Sequence, residues 1–214
     1  MVEDKDIRKT GTTTVGLICK DGVVLAADRR ATSGSFIASK KVEKVLKITE
    51  DIAVTIAGTV SDIQLLVKLI KAELKLKQIR TGKVNTVKEA TNLLSGIVYN
   101  NIRKFALIPG ITHFIVGGRD HLGYHIYDLS PDGAIEEIEE YVSSGSGSVM
   151  VYGLLEAVYK KNMPVKDGIE LAVNGINSAI QRDAASGNGV IVYTITEKGV
   201  KKVLDKRLDI KLEV

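Results

Sequence analysis

Residues 11–28 read GTTTVGLICKDGVVLAAD, two runs of β-branched and apolar residues on either side of Lys20-Asp21-Gly22. Runs of this composition are typical of strands, and a short connection that contains Asp-Gly indicates a tight turn between them. The stretch therefore predicts a β-hairpin whose first strand opens at Thr12 and whose second strand ends at Asp28.

Farther along the chain, strand-like and helix-like segments come in groups. Strands are predicted over residues 45–48, 52–57, 111–116, 124–129, 134–142, 190–196 and 200–204, and a later pair of helices over residues 149–160 and 165–182. The order is strands, two helices, strands, two helices, strands. This grouping favours an α+β fold with helices outside two central sheets, rather than a parallel βαβ sheet.

The earlier pair of helices is marked by two capping-box patterns, Ser61 with Gln64 and Thr86 with Glu89. Behind each pattern, apolar residues recur at helical spacing and predict a buried face. These residues are Ile63, Leu66, Val67, Ile70 and Leu74 in one helix, and Ala90, Leu93, Leu94, Ile97 and Val98 in the next.

The composition is that of an ordinary globular protein. The 214 residues are 44% hydrophobic and 26% charged, which suffices for one domain with a sizeable core. Cys19 is the only cysteine, so an internal disulfide is excluded and a reducing cytoplasm is favoured. The net charge of +4 is scattered; no basic stripe interleaved with aromatic residues indicates nucleic-acid binding, and no apolar run approaches a membrane span.

Thr12 is a candidate nucleophile because of the Gly11–Thr12 bond that precedes it. A threonine hydroxyl is a poor nucleophile without a base in hydrogen-bond reach, and a threonine that opens a strand is usually structural. Cleavage of the Gly11–Thr12 bond would supply a base, because the freed α-amine has an ordinary pKa of about 7.7–8.0 and can accept the hydroxyl proton. Gly11 tolerates the unusual backbone conformation that a self-cleaving bond can require.

Three further residues are candidates to assist such a nucleophile, although each alone is more often structural. Asp28 ends the hairpin, and Lys44 precedes the next strand. A lysine buried against Asp28 near the amine would lower the pKa of the amine, because like charges repel. Gly58 follows a strand, and its unhindered N–H could donate to a developing oxyanion.

Other polar groups fit structural explanations better. The serine- and glycine-rich segment 143–148 looks like an anion-binding loop but lacks the phosphate-loop pattern, so a nucleotide-binding module is a remote alternative. The three histidines do not have the spacing of a zinc motif. Cys19 is expected to pack in a strand, and the glutamates of segment 136–140 to line a solvated strand edge.

Together these features resemble the β-type subunits of the proteasome, especially the archaeal members. The resemblance covers essentially the whole chain after Gly11, and six ordered motifs make it specific. They are Gly11-Thr12-Thr13-Thr14-Val15-Gly16, Asp28-Arg29-Arg30-Ala31-Thr32, Lys44, Thr55-Ile56-Ala57-Gly58, Gly145-Ser146-Gly147-Ser148 with Tyr152-Gly153, and Arg182-Asp183 with Ser186-Gly187.

The resemblance implies a fold and a reaction. The fold is that of an N-terminal-nucleophile hydrolase, a four-layer α/β/β/α sandwich with two stacked antiparallel sheets. Thr12 is expected to be the nucleophile of a threonine-type endopeptidase, with its own amine as the base. Asp28 and Lys44 are then the charged pair beside it, and Gly58 donates to the oxyanion. An acyl-ester forms on Thr12 and is hydrolysed by water, with no metal or organic cofactor.

The resemblance also implies supporting residues. The hydrogen-bond network near the amine consists of Ser146, Asp183 and Ser186. The substrate pocket is lined by Ala31, Val42, Leu46, Ile56 and Val60. All the pocket residues are apolar, so we expect a preference for apolar residues before the cleaved bond.

Maturation and assembly are further implications of the resemblance. Residues 1–11 are expected to be a propeptide removed autocatalytically, which leaves 12–214 as one catalytic domain. The expected partners are homo- or hetero-heptameric β rings stacked with α-type rings, an ATP-dependent unfoldase and unfolded polypeptide substrates. One alternative is a catalytically silent subunit of the same assembly, and another is the shorter bacterial two-component peptidase with six-fold rings.

Overall fold

The computed structural model describes residues 11–107 and 109–208. The helices in these ranges are α1 (Val60–Thr81), α2 (Val87–Ile102), α3 (Ser148–Val158) and α4 (Val165–Arg182). The strands are β1 (Thr13–Cys19), β2 (Gly22–Asp28), β3 (Ala31–Ser33), β4 (Phe36–Ser39), β5 (Val45–Lys47), β6 (Ile52–Gly58), β7 (Thr112–Asp120), β8 (Gly123–Leu129), β9 (Ile135–Ile138), β10 (Tyr141–Gly145), β11 (Gly189–Thr196) and β12 (Gly199–Arg207).

Two five-stranded antiparallel sheets form the centre of the molecule. The first has the strand order β10-β1-β2-β11-β12 and the second β5-β6-β7-β8-β9. The predicted hairpin is confirmed: β1 pairs with β2 from Thr14 opposite Ala27 to Cys19 opposite Gly22. The turn therefore lies at Lys20 and Asp21, as the Asp-Gly dipeptide predicted.

The strands alternate between two apolar layers, as the period of a strand requires. In β2, Val23, Leu25 and Ala27 face the second sheet, whereas Val24 and Ala26 pack under α3 and α4. A separate apolar layer joins the outer face of the second sheet to α1 and α2. The result is the predicted four-layer α/β/β/α sandwich of the N-terminal-nucleophile hydrolases.

The helices confirm most of the predicted patterns. The buried residues of α1 are those of the predicted apolar face. In α2, Leu93 and Ile97 are only partly buried, while the capping box of Thr86 and Glu89 is present. The capping box predicted at Ser61 is wrong. The α1 helix begins at Val60, so Ser61 lies inside the first turn and its hydroxyl contacts Asp62 at 3.3 Å.

The strand predicted over residues 134–142 is also wrong as a single element. It is two strands, because β9 ends the second sheet and β10 ends the first. The chain crosses between the sheets at Glu139 and Glu140. The glutamates of this segment lie along the edge strand β9 and the crossing, partly or fully exposed, as expected. The short hairpin of β3 and β4, which turns at Gly34 with φ +61°, was not predicted.

Within the described ranges, none of the helices has the length and apolar character needed to span a bilayer.

Gly16 lets the two sheets approach closely. A methyl group at Gly16 would lie 3.0 Å from Ile115 Cγ2 and 3.3 Å from both Ile126 and Leu25. We expect Gly16→Val to lower the free energy of unfolding by about 1–3 kcal/mol, because it overpacks this layer. Chemical denaturation measures the change. Gly96→Val, on the exposed side of α2 with open space around it, is the matched control; an equal loss there would contradict the explanation.

Candidate active site

Thr12 lies immediately before β1 and is 5% exposed. Its hydroxyl donates a hydrogen bond to the carbonyl oxygen of Gly11 at 2.7 Å. The Gly11 N–H donates to the hydroxyl of Thr32 at 3.0 Å, which fixes the peptide on the other side. Gly145 approaches Thr12 so closely, with φ +96°, that a side chain there would overlap the Thr12 carbonyl group. The Gly11–Thr12 peptide is therefore held by contacts on both sides.

Asp28 ends β2 with its carboxylate fully buried. Oδ1 accepts hydrogen bonds from the Thr13 N–H at 3.0 Å and the Lys44 ammonium at 2.7 Å. Oδ2 accepts from the N–H groups of Arg30 and Gly187, both at 2.9 Å. All four partners are donors, so both carboxylate oxygens have their hydrogen bonds satisfied.

Lys44 reaches this corner from the second sheet, where it directly precedes β5. Its Nζ lies 2.7 Å from Asp28 and 3.5 Å from the Gly11 carbonyl oxygen. Burial lowers the pKa of Lys44 from its ordinary value, and the Asp28 carboxylate opposes that shift. The Lys44 carbonyl accepts from the Ile56 N–H at 2.9 Å, so β6 holds the lysine backbone in place.

Ser146, Asp183 and Ser186, far apart in sequence, meet in one hydrogen-bonded network. Asp183 Oδ2 accepts from the hydroxyls of Ser146 and Ser186, both at 2.6 Å. Ser146 also lies 3.4 Å from the Thr12 carbonyl oxygen. The three residues predicted to support the nucleophile thus form one network, which reaches Thr12 through Ser146.

Arg30 and Thr13 are residues of this region for which the sequence predicted no role. The Arg30 guanidinium donates to the Ala184 carbonyl at 2.7 Å and to the Asn188 side chain at 2.9 Å, and so holds the loop that carries Ser186. The Thr13 hydroxyl lies 2.6 Å from that of Ser186. The only hint in the sequence was that both residues adjoin predicted site residues.

Gly58 ends β6 with φ +120°, and a side chain there would overlap the Ile111 carbonyl. It is two residues beyond Ile56, which bonds Lys44, and so lies at the same end of the sheet. Its position requires glycine for reasons of backbone packing alone.

Three of the predicted pocket residues adjoin Lys44: Val42 and Leu46 flank it in the sequence, and the Ile56 N–H donates to its carbonyl. Leu46 and Ile56 pack in the apolar layer under α1, and the Val42 N–H donates to the Arg29 carbonyl at 3.1 Å. Ala31 begins β3, and Val60 is 48% exposed at the start of α1. Two surface cavities, of about 300 and 350 Å³, lie elsewhere, beside Asn85 and Tyr124.

Cys19 is buried in β1, as predicted. Burial, with smaller contributions from Asp21 and Asp167, raises the pKa of its thiol to about 12. The thiolate, which is the reactive form, is therefore suppressed. Its burial and its raised pKa both argue against a role for Cys19 as a nucleophile.

With the Gly11–Thr12 bond in place, the nitrogen of Thr12 is an amide and has no basicity to offer. The hydroxyl, the carbonyl group beside it and a buried cation are nevertheless assembled within hydrogen-bond distances. Such an arrangement can place negative charge on the Gly11 oxygen next to a positive charge in a medium of low dielectric.

Comparison with known proteins identifies the family to which the chain belongs. A family model described as Proteasome subunit matches residues 8–195. A proteasome subunit beta of Ferroglobus placidus is 47% identical over 214 residues, covering 100% of this chain and 99% of that protein. The corresponding subunit of Archaeoglobus profundus is 46% identical over 97% of this chain and 94% of its own, and that of Methanocaldococcus fervens is 45% identical over 95% and 89%. The chain therefore belongs to the proteasome family and is a β-type subunit of the archaeal kind.

Proposed function

We propose that this β subunit is a threonine-type endopeptidase of the proteasome core, with Thr12 as its nucleophile. One observation carries the proposal. The Gly11 carbonyl oxygen accepts a hydrogen bond from the Thr12 hydroxyl at 2.7 Å and lies 3.5 Å from the buried Lys44 ammonium. A nucleophile, an electrophilic carbonyl and a charge that stabilises an oxyanion thus meet at one peptide bond.

The first reaction is cleavage of the chain by itself. Thr12 Oγ1 attacks the Gly11 carbonyl carbon, its proton passes to the Thr12 nitrogen, and the C–N bond breaks to leave an ester. Water then hydrolyses the ester and releases residues 1–11, of which 1–10 lie outside the described residues. The products are a carboxylate on Gly11 and a Thr12 that bears both a free hydroxyl and a free α-amine.

The second reaction uses that pair on a substrate. The amine accepts the hydroxyl proton while Oγ1 attacks the scissile carbonyl, and it returns the proton to the leaving amine. Lys44 keeps the amine neutral by repulsion between like charges, and Asp28 holds Lys44 in position. The Gly58 N–H donates to the oxyanion. Water hydrolyses the acyl-ester, and neither step needs a metal or an organic cofactor.

Family membership supports the proposed assembly, and the apolar pocket residues support the proposed substrate class. Ala31, Val42, Leu46, Ile56 and Val60 offer apolar surface, so apolar residues before the cut are favoured. The subunit acts on unfolded polypeptides in the cytoplasm, within heptameric β rings stacked on α-type rings and served by an ATP-dependent unfoldase.

Thr12→Ala tests the proposal directly. Because the hydroxyl is the nucleophile of both reactions, we expect residues 1–11 to stay attached and hydrolysis of an apolar fluorogenic peptide to fall by at least about a thousandfold. Thr12→Ser, which keeps a hydroxyl, should retain both reactions at reduced rates. Intact mass and the peptidase assay on assembled particles give the readouts. Undiminished hydrolysis by the alanine variant would refute the assignment, and a wild-type chain that assembles uncleaved and inactive would indicate the silent subunit.

Lys44→Ala tests the electrostatic part of the mechanism. We expect self-cleavage and peptide hydrolysis to slow by at least about a hundredfold. Self-cleavage loses the charge beside the developing oxyanion, and peptide hydrolysis loses the charge that keeps the amine neutral. Only assembled particles are assayed, since a buried Asp28 without its partner also destabilises the chain. Lys47→Ala, which breaks a surface pair with Glu50, is the control. A Lys44→Ala rate within threefold of the Lys47→Ala rate would show that the role of Lys44 is misassigned.

Gly11→Ala separates self-cleavage from peptidase activity. A methyl group at Gly11 would overlap the Ala185 side chain, so we expect removal of residues 1–11 to slow by about tenfold or more. The double variant Gly11→Ala/Ala185→Gly should recover only part of the rate, because it removes the overlap with the Ala185 methyl but leaves the added methyl 2.9 Å from the Ala185 Cα. A chain produced with Thr12 already exposed, and thus lacking Gly11, should have full peptidase activity. Intact mass measures the removal of residues 1–11. Equal rates of removal in Gly11→Ala and wild type would contradict the steric argument.

A further inference from the structure

Thr13 has a fully buried side chain on the face of β1 that packs under α4. Its hydroxyl lies 2.6 Å from the hydroxyl of Ser186, which is also fully buried. Gly147 closes the other side, where a side chain would overlap Thr13 Oγ1 and come within 2.8 Å of the Ala179 methyl. The Thr13 hydroxyl is therefore tightly enclosed, although the proposed reaction gives it no role.

The protons in this network can be counted. The hydroxyls of Ser146 and Ser186 both donate to Asp183 Oδ2, each at 2.6 Å. Ser186 has then used its single proton. In the contact between Thr13 and Ser186, Thr13 must consequently be the donor. The chain of hydrogen bonds has one direction, from Thr13 through Ser186 to Asp183.

We infer that Thr13 is a positioning residue of the reaction, whose hydroxyl donates to Ser186 and so sets the direction of the hydrogen bonds beside Thr12. The inference rests on the proposed function, because it concerns the α-amine that cleavage creates. The network adjoins Thr12 itself, since Ser146 lies 3.4 Å from the Thr12 carbonyl oxygen. Thr13 acts through Ser186 and touches no substrate.

Loss of the Thr13 hydroxyl is expected to change the pKa of the Thr12 α-amine in one direction. Without the Thr13 donor, the Ser186 hydroxyl is a weaker donor to the Asp183 carboxylate. More of the negative charge of that carboxylate then acts on Thr12, which the network reaches through Ser146. This favours the charged form of the Thr12 amine and raises its pKa. The amine must be neutral to act as a base. The acidic limb of the pH profile of kcat/KM therefore moves to higher pH.

The experiment compares Thr13→Val, nearly isosteric but without the hydroxyl, with Thr13→Ser, which keeps it. In assembled, processed particles we expect Thr13→Val to move the acid limb up by about half to one pH unit, a roughly three- to tenfold loss of kcat/KM at acidic pH. KM should change little, and Thr13→Ser should have the wild-type profile. Thr14→Val, the neighbouring buried threonine whose hydroxyl contacts the Ser144 carbonyl at 3.4 Å, is the matched control. A Thr13→Val profile that coincides with wild type would overturn the inference.

A second comparison isolates the route through Ser186. In a Ser186→Ala background, Thr13→Ala should add no further displacement of the limb, because its acceptor is already gone; an additional displacement would contradict the inference. Thr13→Ala also replaces the valine variant if that chain does not assemble. Failure of the proposed function looks different: the Thr12→Ala particle would then stay active. If processing at Thr12 is normal and the pH profile of Thr13→Val matches wild type, the inference about Thr13 is rejected and the proposed function is not.

Discussion

The buried ion pair of Lys44 and Asp28 is the constraint on which the rest of the molecule depends. Its partners belong to different sheets, and removing both charges from water is costly. That cost is offset because the carboxylate accepts from three backbone N–H groups as well as from the ammonium. One of those groups belongs to Thr13 and another to Gly187, so the ion pair that links the two sheets also places the start of β1 against the loop after α4.

Local patterns sufficed wherever an element's own residues decide its structure. The hairpin of residues 11–28 follows from two β-branched runs and one turn, and α4 has the predicted bounds of residues 165–182. The buried face of α1 follows from the spacing of its apolar residues alone. For the site, Thr12, Asp28 and Lys44 could be singled out one at a time, but only the resemblance to a family joined Asp183 and Ser186 to them.

What escaped prediction depends on contacts between distant segments. Residues 134–142 look like a single strand, and only the stacking of the sheets makes the chain change sheets within them. The run of three threonines likewise does not reveal which partner each hydroxyl contacts. Alternation along β1 turns the Thr13 side chain toward α4 and away from that of Thr14, and the acceptor it meets, Ser186, is supplied by a loop 173 residues away.

The burial of Cys19 makes this protein convenient for site-specific labelling. Its sulfur lies under α4, so close to Gly168 that a methyl group on that glycine would come within 2.5 Å. A thiol that is shielded and protonated reacts slowly with maleimides and iodoacetamide. A cysteine introduced at an exposed position of the native particle would therefore be the one that takes up a fluorophore or spin label, with the natural thiol left in place.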